Sequence, residues 1–135
     1  MTKIKQEEKI DLVKIASEVR KWAYVPYSKY QVGAAVLTES GKIYDGVNIE
    51  NAAFPVTVCA ERTAIFKAVS NGERKFKAIA VVTKDGGMPC GSCRQVMAEF
   101  SPDILVIVAN GEGKITAEKE LRDLLPGMFT SESLE

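Results

Sequence analysis

Two continuous β-rich runs, residues 78–83 and 104–109, constrain the fold more than any other feature of this sequence. Runs of this length, rich in valine, isoleucine and alanine and without polar alternation, suit strands covered on both faces. Between them Cys93, Val96, Met97 and Phe100 share one helical face, so the order is strand, helix, strand. That order calls for a right-handed crossover between strands of one sheet. A sheet buried on both sides in turn needs helices above and below it.

The remaining segments supply those layers. Residues 7–24 carry Leu12, Ile15, Ala16, Val19, Trp22 and Ala23 at three- and four-residue spacing, which predicts an amphipathic helix ended by Pro26. Residues 32–37 and 42–48, joined at Ser40-Gly41, read as a hairpin. Residues 59–69 predict a second covering helix that stops at Asn71-Gly72. After the second apolar run, Gly111-Glu112-Gly113 turns the chain, a short strand lies near Ile115, and residues 117–125 predict a last helix before Pro126-Gly127. The tail beyond Thr130 is expected to be loose. The fold class is α/β, a mixed sheet between helical layers. It forms a single domain over residues 1–135, because a chain of 135 residues is too short for two cores of ordinary size.

Composition narrows the partners. Eighteen basic residues balance eighteen acidic ones, and no basic run is present to neutralise a phosphate backbone, so no stable nucleic-acid partner is expected. Residues 2–9 are charged where a signal peptide would be apolar, and no apolar run approaches membrane-spanning length. The expected location is the cytoplasm, without membrane contact.

The sequence contains no histidine and three cysteines. Without histidine the commonest general base and the commonest nitrogen ligand for zinc are both missing, so proton transfer falls to other groups and any zinc site must lean on sulfur. Cys90 and Cys93 follow Pro89 where a loop passes into a helix, and Cys59 also stands at a loop-to-helix junction. Helix N-termini carry partial positive charge, which favours the thiolate that zinc requires. Three protein ligands leave a catalytic zinc a position for water, whereas a structural zinc takes four. Glu61, two residues beyond Cys59, could stand beside that position and move protons. Three thiolates overcompensate a divalent ion; Arg62, on the same helical face as Cys59, could offset this by donating to sulfur, with Arg94 as a second candidate.

Cys59-Ala60-Glu61-Arg62 followed by Pro89-Cys90-Gly91-Ser92-Cys93-Arg94-Gln95 resembles the zinc signature of the cytidine deaminase family, in its small homotetrameric three-cysteine branch. Val32-Gly33-Ala34-Ala35, Asn48-Ile49-Glu50-Asn51-Ala52 and Leu124-Leu125-Pro126-Gly127 extend the likeness over most of the chain. The resemblance implies a three-layer α/β/α sandwich on a five-stranded mixed sheet. It also implies one Zn2+ per subunit held by Cys59, Cys90 and Cys93, with Glu61 as the proton shuttle. Asn48 and Glu50 match residues that hydrogen-bond the ribose 3′-hydroxyl, and the Ala60 backbone matches the group that holds the pyrimidine carbonyl. Tyr30 stands where the family commonly packs a phenylalanine on the ring, and Phe129 matches an aromatic supplied by a neighbouring subunit of the tetramer. The implied reaction is hydrolytic deamination of cytidine and 2′-deoxycytidine to uridine and 2′-deoxyuridine, with release of ammonia, in pyrimidine salvage.

The chain departs from the family at Tyr30, at Phe54 where many relatives carry tyrosine, in the short loop 84–88, and at Met88 where serine is usual. Three other functions share parts of the pattern. An RNA- or DNA-editing deaminase would need basic and aromatic surfaces for the strand. A deaminase of an antibiotic or free base should lack the Asn48 and Glu50 pair, while a zinc-stabilised binding module would hold metal without releasing ammonia.

Overall fold

A computed structural model describes residues 4–134; residues 1–3, which include the start of the charged N-terminal segment, and Glu135 of the tail lie outside the described residues. Five strands form one mixed sheet in the order β2-β1-β3-β4-β5. They are β1 (Gly33–Thr38), β2 (Ile43–Val47), β3 (Phe76–Val82), β4 (Leu105–Ala109) and β5 (Ile115–Glu120). β1 is antiparallel to both β2 and β3, β3 and β4 run parallel, and β5 returns antiparallel to β4. Helix α1 (Gln6–Val19) precedes the sheet, α2 (Ala60–Ser70) joins β2 to β3, α3 (Gly91–Phe100) joins β3 to β4, and the single turn α4 (Leu121–Leu124) follows β5.

The strand period of two sorts the core into two clusters. Ala34, Val36, Ile79, Val81, Val106 and Val108 face α2 and α3, where they meet Ala60, Ala64, Ile65, Ala68, Cys93 and Met97. The alternate residues Ala35, Leu37, Ala78, Ala80, Val82, Ile107 and Ala109 pack with Leu12, Val13 and Ala16 of α1. The three-layer α/β/α arrangement follows, with α1 alone on one side.

β2 and β3 both oppose β1, so they point the same way, and each feeds a helix packed on the same face. The N-termini of α2 and α3 therefore come to one end of the sheet, at the carboxyl ends of β2 and β3, the end at which open α/β sheets bind ligands. Gly46 allows α2 to lie close to β2. A Cβ there would stand 2.4 Å from Ala64 N and 2.9 Å from Ala60 O.

Two expectations change. The first helix ends at Val19 rather than near Tyr24; Arg20–Trp22 tighten into a 3-10 turn, and Trp22 is 72% exposed instead of lying on the apolar face. Tertiary hydrogen bonds explain the early end, because Tyr24 N donates to Asn48 O and Glu50 N donates to Tyr24 O, drawing the chain into an extended bridge beside Ile49. The first half of the last predicted helix is strand: residues 115–120 pair with β4, and only Leu121–Leu124 are helical. Without β5, the buried strand β4 would present unpaired backbone groups at the sheet edge, and that demand overrides the helical propensity of Ala117, Glu118 and Lys119. Beyond Thr130 the chain forms an exposed 3-10 turn, Ser131–Leu134.

The close approach at Gly46 generates a stability prediction. Gly46→Ala should destabilise the protein by about 1–3 kcal/mol through overpacking of α2 on β2. A urea denaturation midpoint equal to that of the wild type would show that the contact relaxes freely.

Candidate active site

Cys59 is the N-cap of α2 and Cys90 the N-cap of α3, both in extended conformation with no side-chain cap hydrogen bond. Their sulfurs are consequently free for other work, beside first-turn amides that have no partner within the helix. Cys93 lies one turn into α3, facing α2 across the core. The topology brings all three together: the Sγ atoms lie within 4.8 Å of one another. Cys59 Sγ is 3.8 Å from Cys90 Sγ, and Cys90 Sγ is 3.3 Å from Cys93 Sγ.

The donor set fits zinc. Tetrahedral ligation with arms of about 2.3 Å separates sulfurs by about 3.8 Å, the spacing of Cys59 and Cys90, while Cys93 sits slightly close and needs only a small side-chain adjustment. Cys93 is buried, Cys59 half-buried and Cys90 exposed, so the cluster opens to solvent on the Cys90 side. Arg62 Nη2 donates to Cys59 Sγ at 3.5 Å and to Thr57 O at 3.3 Å. The Arg62 Nε is buried and has no hydrogen-bond partner among the described residues. A guanidinium left in part unpartnered beside three sulfurs suits a cluster that carries excess negative charge.

The thiols do not ionise independently. Hydrogen bonding from Cys93, then from Arg62 and Cys90, holds the Cys59 thiol down at about 5 against its burial. The thiolate formed there, aided by burial and the charge of Glu61, pushes Cys93 upward. The metal-free cluster thus holds its first negative charge at Cys59 and resists a second, a resistance that a divalent cation would remove.

Glu61 occupies the first turn of α2 and is only 4% exposed. Burial first, and then the Cys59 charge, raise its carboxyl to about 7. A carboxyl with that value exchanges protons near neutral pH, as a general acid and base must. Ala60, next to it, is fully buried.

The other sequence candidates are distributed as follows. Asn48 Oδ1 accepts from Val32 N at 2.9 Å and its Nδ2 donates to Tyr30 O at 2.8 Å. Glu50 accepts from Tyr27 N at 3.0 Å, Ser28 N at 3.1 Å and the Ser28 hydroxyl. Both residues therefore brace the segment 27–32, which presents Tyr30. Phe129 lines a surface pocket with Ser92, Gln95 and Val96 of α3 and is 57% exposed. Arg94 does not reach a sulfur; its Nε donates to Pro89 O and its Nη1 to Leu124 O, both at 2.8 Å, so it holds the loop before Cys90 against α4.

Three residues at the site escaped the sequence reading. Ser28 links Glu50 to Tyr30 N, and Thr83 and Asp85 organise the loop before the Cys90 pair. The only available signal was a Thr-x-Asp-Gly-Gly string, whose polar members read as an ordinary turn.

Comparison with known proteins yields consistent matches. The family model for the cytidine and deoxycytidylate deaminase zinc-binding region matches residues 6–109. A cytidine deaminase of Sporosarcina psychrophila is 53% identical over 126 residues, covering 91% of this chain and 92% of that protein. A cytidine deaminase of Halalkalibacterium halodurans is also 53% identical over 126 residues, covering 91% and 95%. Among solved structures, the cytidine deaminase of Burkholderia pseudomallei superposes with a TM-score of 0.85 at 41% identity, covering 93% of this chain and all of that one.

The raised carboxyl of Glu61 makes a pH prediction for the metal-free protein. In the unfolded chain the group ionises near its ordinary 4.5, so between about 4.5 and about 7 the folded protein holds a proton that the unfolded chain has released. The stability contribution is full below that window and is lost as pH rises through about 7. The unfolding free energy of metal-free wild type minus that of Glu61→Gln, read from urea titrations, should therefore decline across the window; a flat or rising difference would contradict the assignment.

Proposed function

Because the chain belongs to the cytidine and deoxycytidylate deaminase family, we propose that it is a zinc-dependent enzyme that hydrolyses cytidine and 2′-deoxycytidine to the corresponding uridines and ammonia, in pyrimidine salvage. The observation that carries this reading is the convergence of three sulfurs within 4.8 Å beside a buried carboxyl.

Cys59, Cys90 and Cys93 would hold one zinc ion per subunit. When bound, zinc acts as a Lewis acid that acidifies water at neutral pH. The chain's own residues do the rest. Glu61 takes up the proton released from water, gives it to N3 of the pyrimidine so that C4 becomes electrophilic toward the water oxygen, and then passes the proton of the new C4 hydroxyl to the departing amine. Its buried carboxyl, raised toward neutrality in the metal-free protein, suits both directions of transfer. Arg62 tempers the excess charge of the sulfurs through its bond to Cys59.

In the same reading the backbone of Ala60 holds the pyrimidine carbonyl, Asn48 and Glu50 receive the ribose 3′-hydroxyl, and Tyr30 packs on the ring. Their shared bracing of segment 27–32 supports a common substrate wall. Phe129 would complete a neighbouring subunit's site in a homotetramer. Its exposure supports that role, as does the exposure of Trp22, Tyr24, Tyr27 and Phe54, aromatic side chains available for subunit contact. The chain works as one domain. A free nucleoside is the substrate rather than a nucleic-acid strand, supported by a net charge of zero. We place the enzyme in the cytoplasm; among the described residues no helix is long and apolar enough to cross a membrane.

Two outcomes are expected. Glu61→Gln should keep its zinc, measured by metal analysis of the purified protein, and lose about 10²–10⁴-fold in kcat on cytidine, followed by ultraviolet absorbance; near-normal turnover would remove the carboxyl from the mechanism. Sedimentation should give a mass of four chains, and Phe129→Ala should raise KM without changing zinc content. A monomer with full activity would rule out the shared site.

A further inference from the structure

Tyr30 carries a hydroxyl that a phenylalanine at this position would lack. That hydroxyl donates to Asp85 Oδ1 at 2.7 Å, across a sequence separation of 55 residues. Asp85 belongs to the loop between β3 and Pro89, which delivers Cys90 and, a turn later, Cys93. At its other end Tyr30 is fixed by backbone contacts: its carbonyl accepts from Asn48 Nδ2 at 2.8 Å, and its N–H donates to Ser28 Oγ at 3.0 Å. One side chain therefore joins the segment braced by Asn48 and Glu50 to the segment that leads to two of the three cysteines.

The loop is anchored at its two ends, Lys84 O accepting from Gly111 N at 3.2 Å and Pro89 O from Arg94 Nε at 2.8 Å, and Tyr30 holds the glycine-rich stretch between them. Gly86 and Gly87 are adjacent, and Gly86 has φ +78, a region that side-chain-bearing residues rarely enter. Within the loop, the Thr83 hydroxyl donates to Asp85 Oδ1 at 3.2 Å, and accepts from Gly86 N and Gly87 N at 2.8 Å each. These bonds shape the turn but do not tie it to the opposite wall. Gly87 also makes room for the tether, since a Cβ there would stand 3.2 Å from the Tyr30 hydroxyl. The titration behaviour agrees: the hydroxyl bond from Tyr30 is the main influence lowering the Asp85 carboxyl, and burial, then Asp85, raise the Tyr30 phenol.

We propose that the Tyr30 hydroxyl and Asp85 form a latch that positions the loop carrying Cys90 and Cys93 against the substrate wall, so that Tyr30 governs zinc retention as well as contact with the base. Tyr30 and Asp85 act on the metal as positioning residues, through the backbone between Asp85 and Cys90. The inference rests on the reading that the three thiols hold zinc and that the chain deaminates cytidine.

The test follows release of zinc from the purified zinc-loaded protein to a chromogenic chelator, with kcat and KM on cytidine measured on the same samples. Losing one hydrogen bond of ordinary strength corresponds to about a fivefold effect. Tyr30→Phe should release zinc about fivefold faster than wild type and Asp85→Ala at least as fast, since it also removes the Thr83 bond; the double variant should be no faster than Asp85→Ala, in which the latch bond is already gone. Asp85→Asn retains an acceptor oxygen and should restore release to near the wild-type rate, which a merely structural loss of the aspartate would not do. Wild-type release from Tyr30→Phe, or multiplicative effects in the double variant, would overturn the latch while leaving the deaminase reading intact. A wild-type protein that neither binds zinc nor turns over cytidine would overturn both.

Discussion

Everything at the site depends on β2 and β3 pointing the same way while their helices pack on the same face of the sheet. Only that arrangement brings the starts of α2 and α3 side by side, and only at helix starts are there free amides and a favourable dipole to support thiolates. β1 enforces it by running antiparallel to both neighbours. The small side chains Ala60, Ala64 and Ala68, set against the bare backbone of Gly46, then let α2 settle close enough for Cys59 to meet the pair on α3.

Packing and electrostatics are joined at this point. The burial that seats Cys93 and Glu61 in the core penalises their charged forms, and the half-buried Cys59 absorbs the first charge because Arg62 and two neighbouring thiols stabilise it. Such a cluster is frustrated without a cation: one sulfur is ionised, another is held protonated, and a guanidinium nitrogen is unpartnered. A divalent ion relieves the first two conditions, because it binds the sulfurs as thiolates. In the metal-free protein the carboxyl beside the sulfurs is raised toward neutrality by the same dry surroundings.

The sequence made the central elements legible because their signals were local and strong. The runs at 78–83 and 104–109 and the helical faces at 59–69 and 93–100 each declare their period within a few residues. The cysteines and Glu61 were legible as a group because their spacing from loop-to-helix junctions is itself a short-range pattern. What stayed hidden was decided at long range. Trp22 has the spacing of a buried residue, but Tyr24 leaves the helix for hydrogen bonds with Asn48 and Glu50. Residues 117–120 suit a helix in isolation and become strand because β4 needs a partner. The bond between Tyr30 and Asp85 has no local trace, since neither residue's neighbours indicate the other.

The two faces of the sheet are not equivalent. Toward α1 the inner strands present mostly alanine, at positions 35, 78, 80 and 109, so that helix rests almost on the backbone of the sheet. Toward α2 and α3 the same strands present valine and isoleucine, a thicker layer whose volume can be redistributed among neighbours. Evolution thus has unequal room on the two sides. Methyl groups can be traded between residues beneath the cysteines, whereas on the opposite floor only Leu37, Val82 and Ile107 have carbon to give up among the alanines.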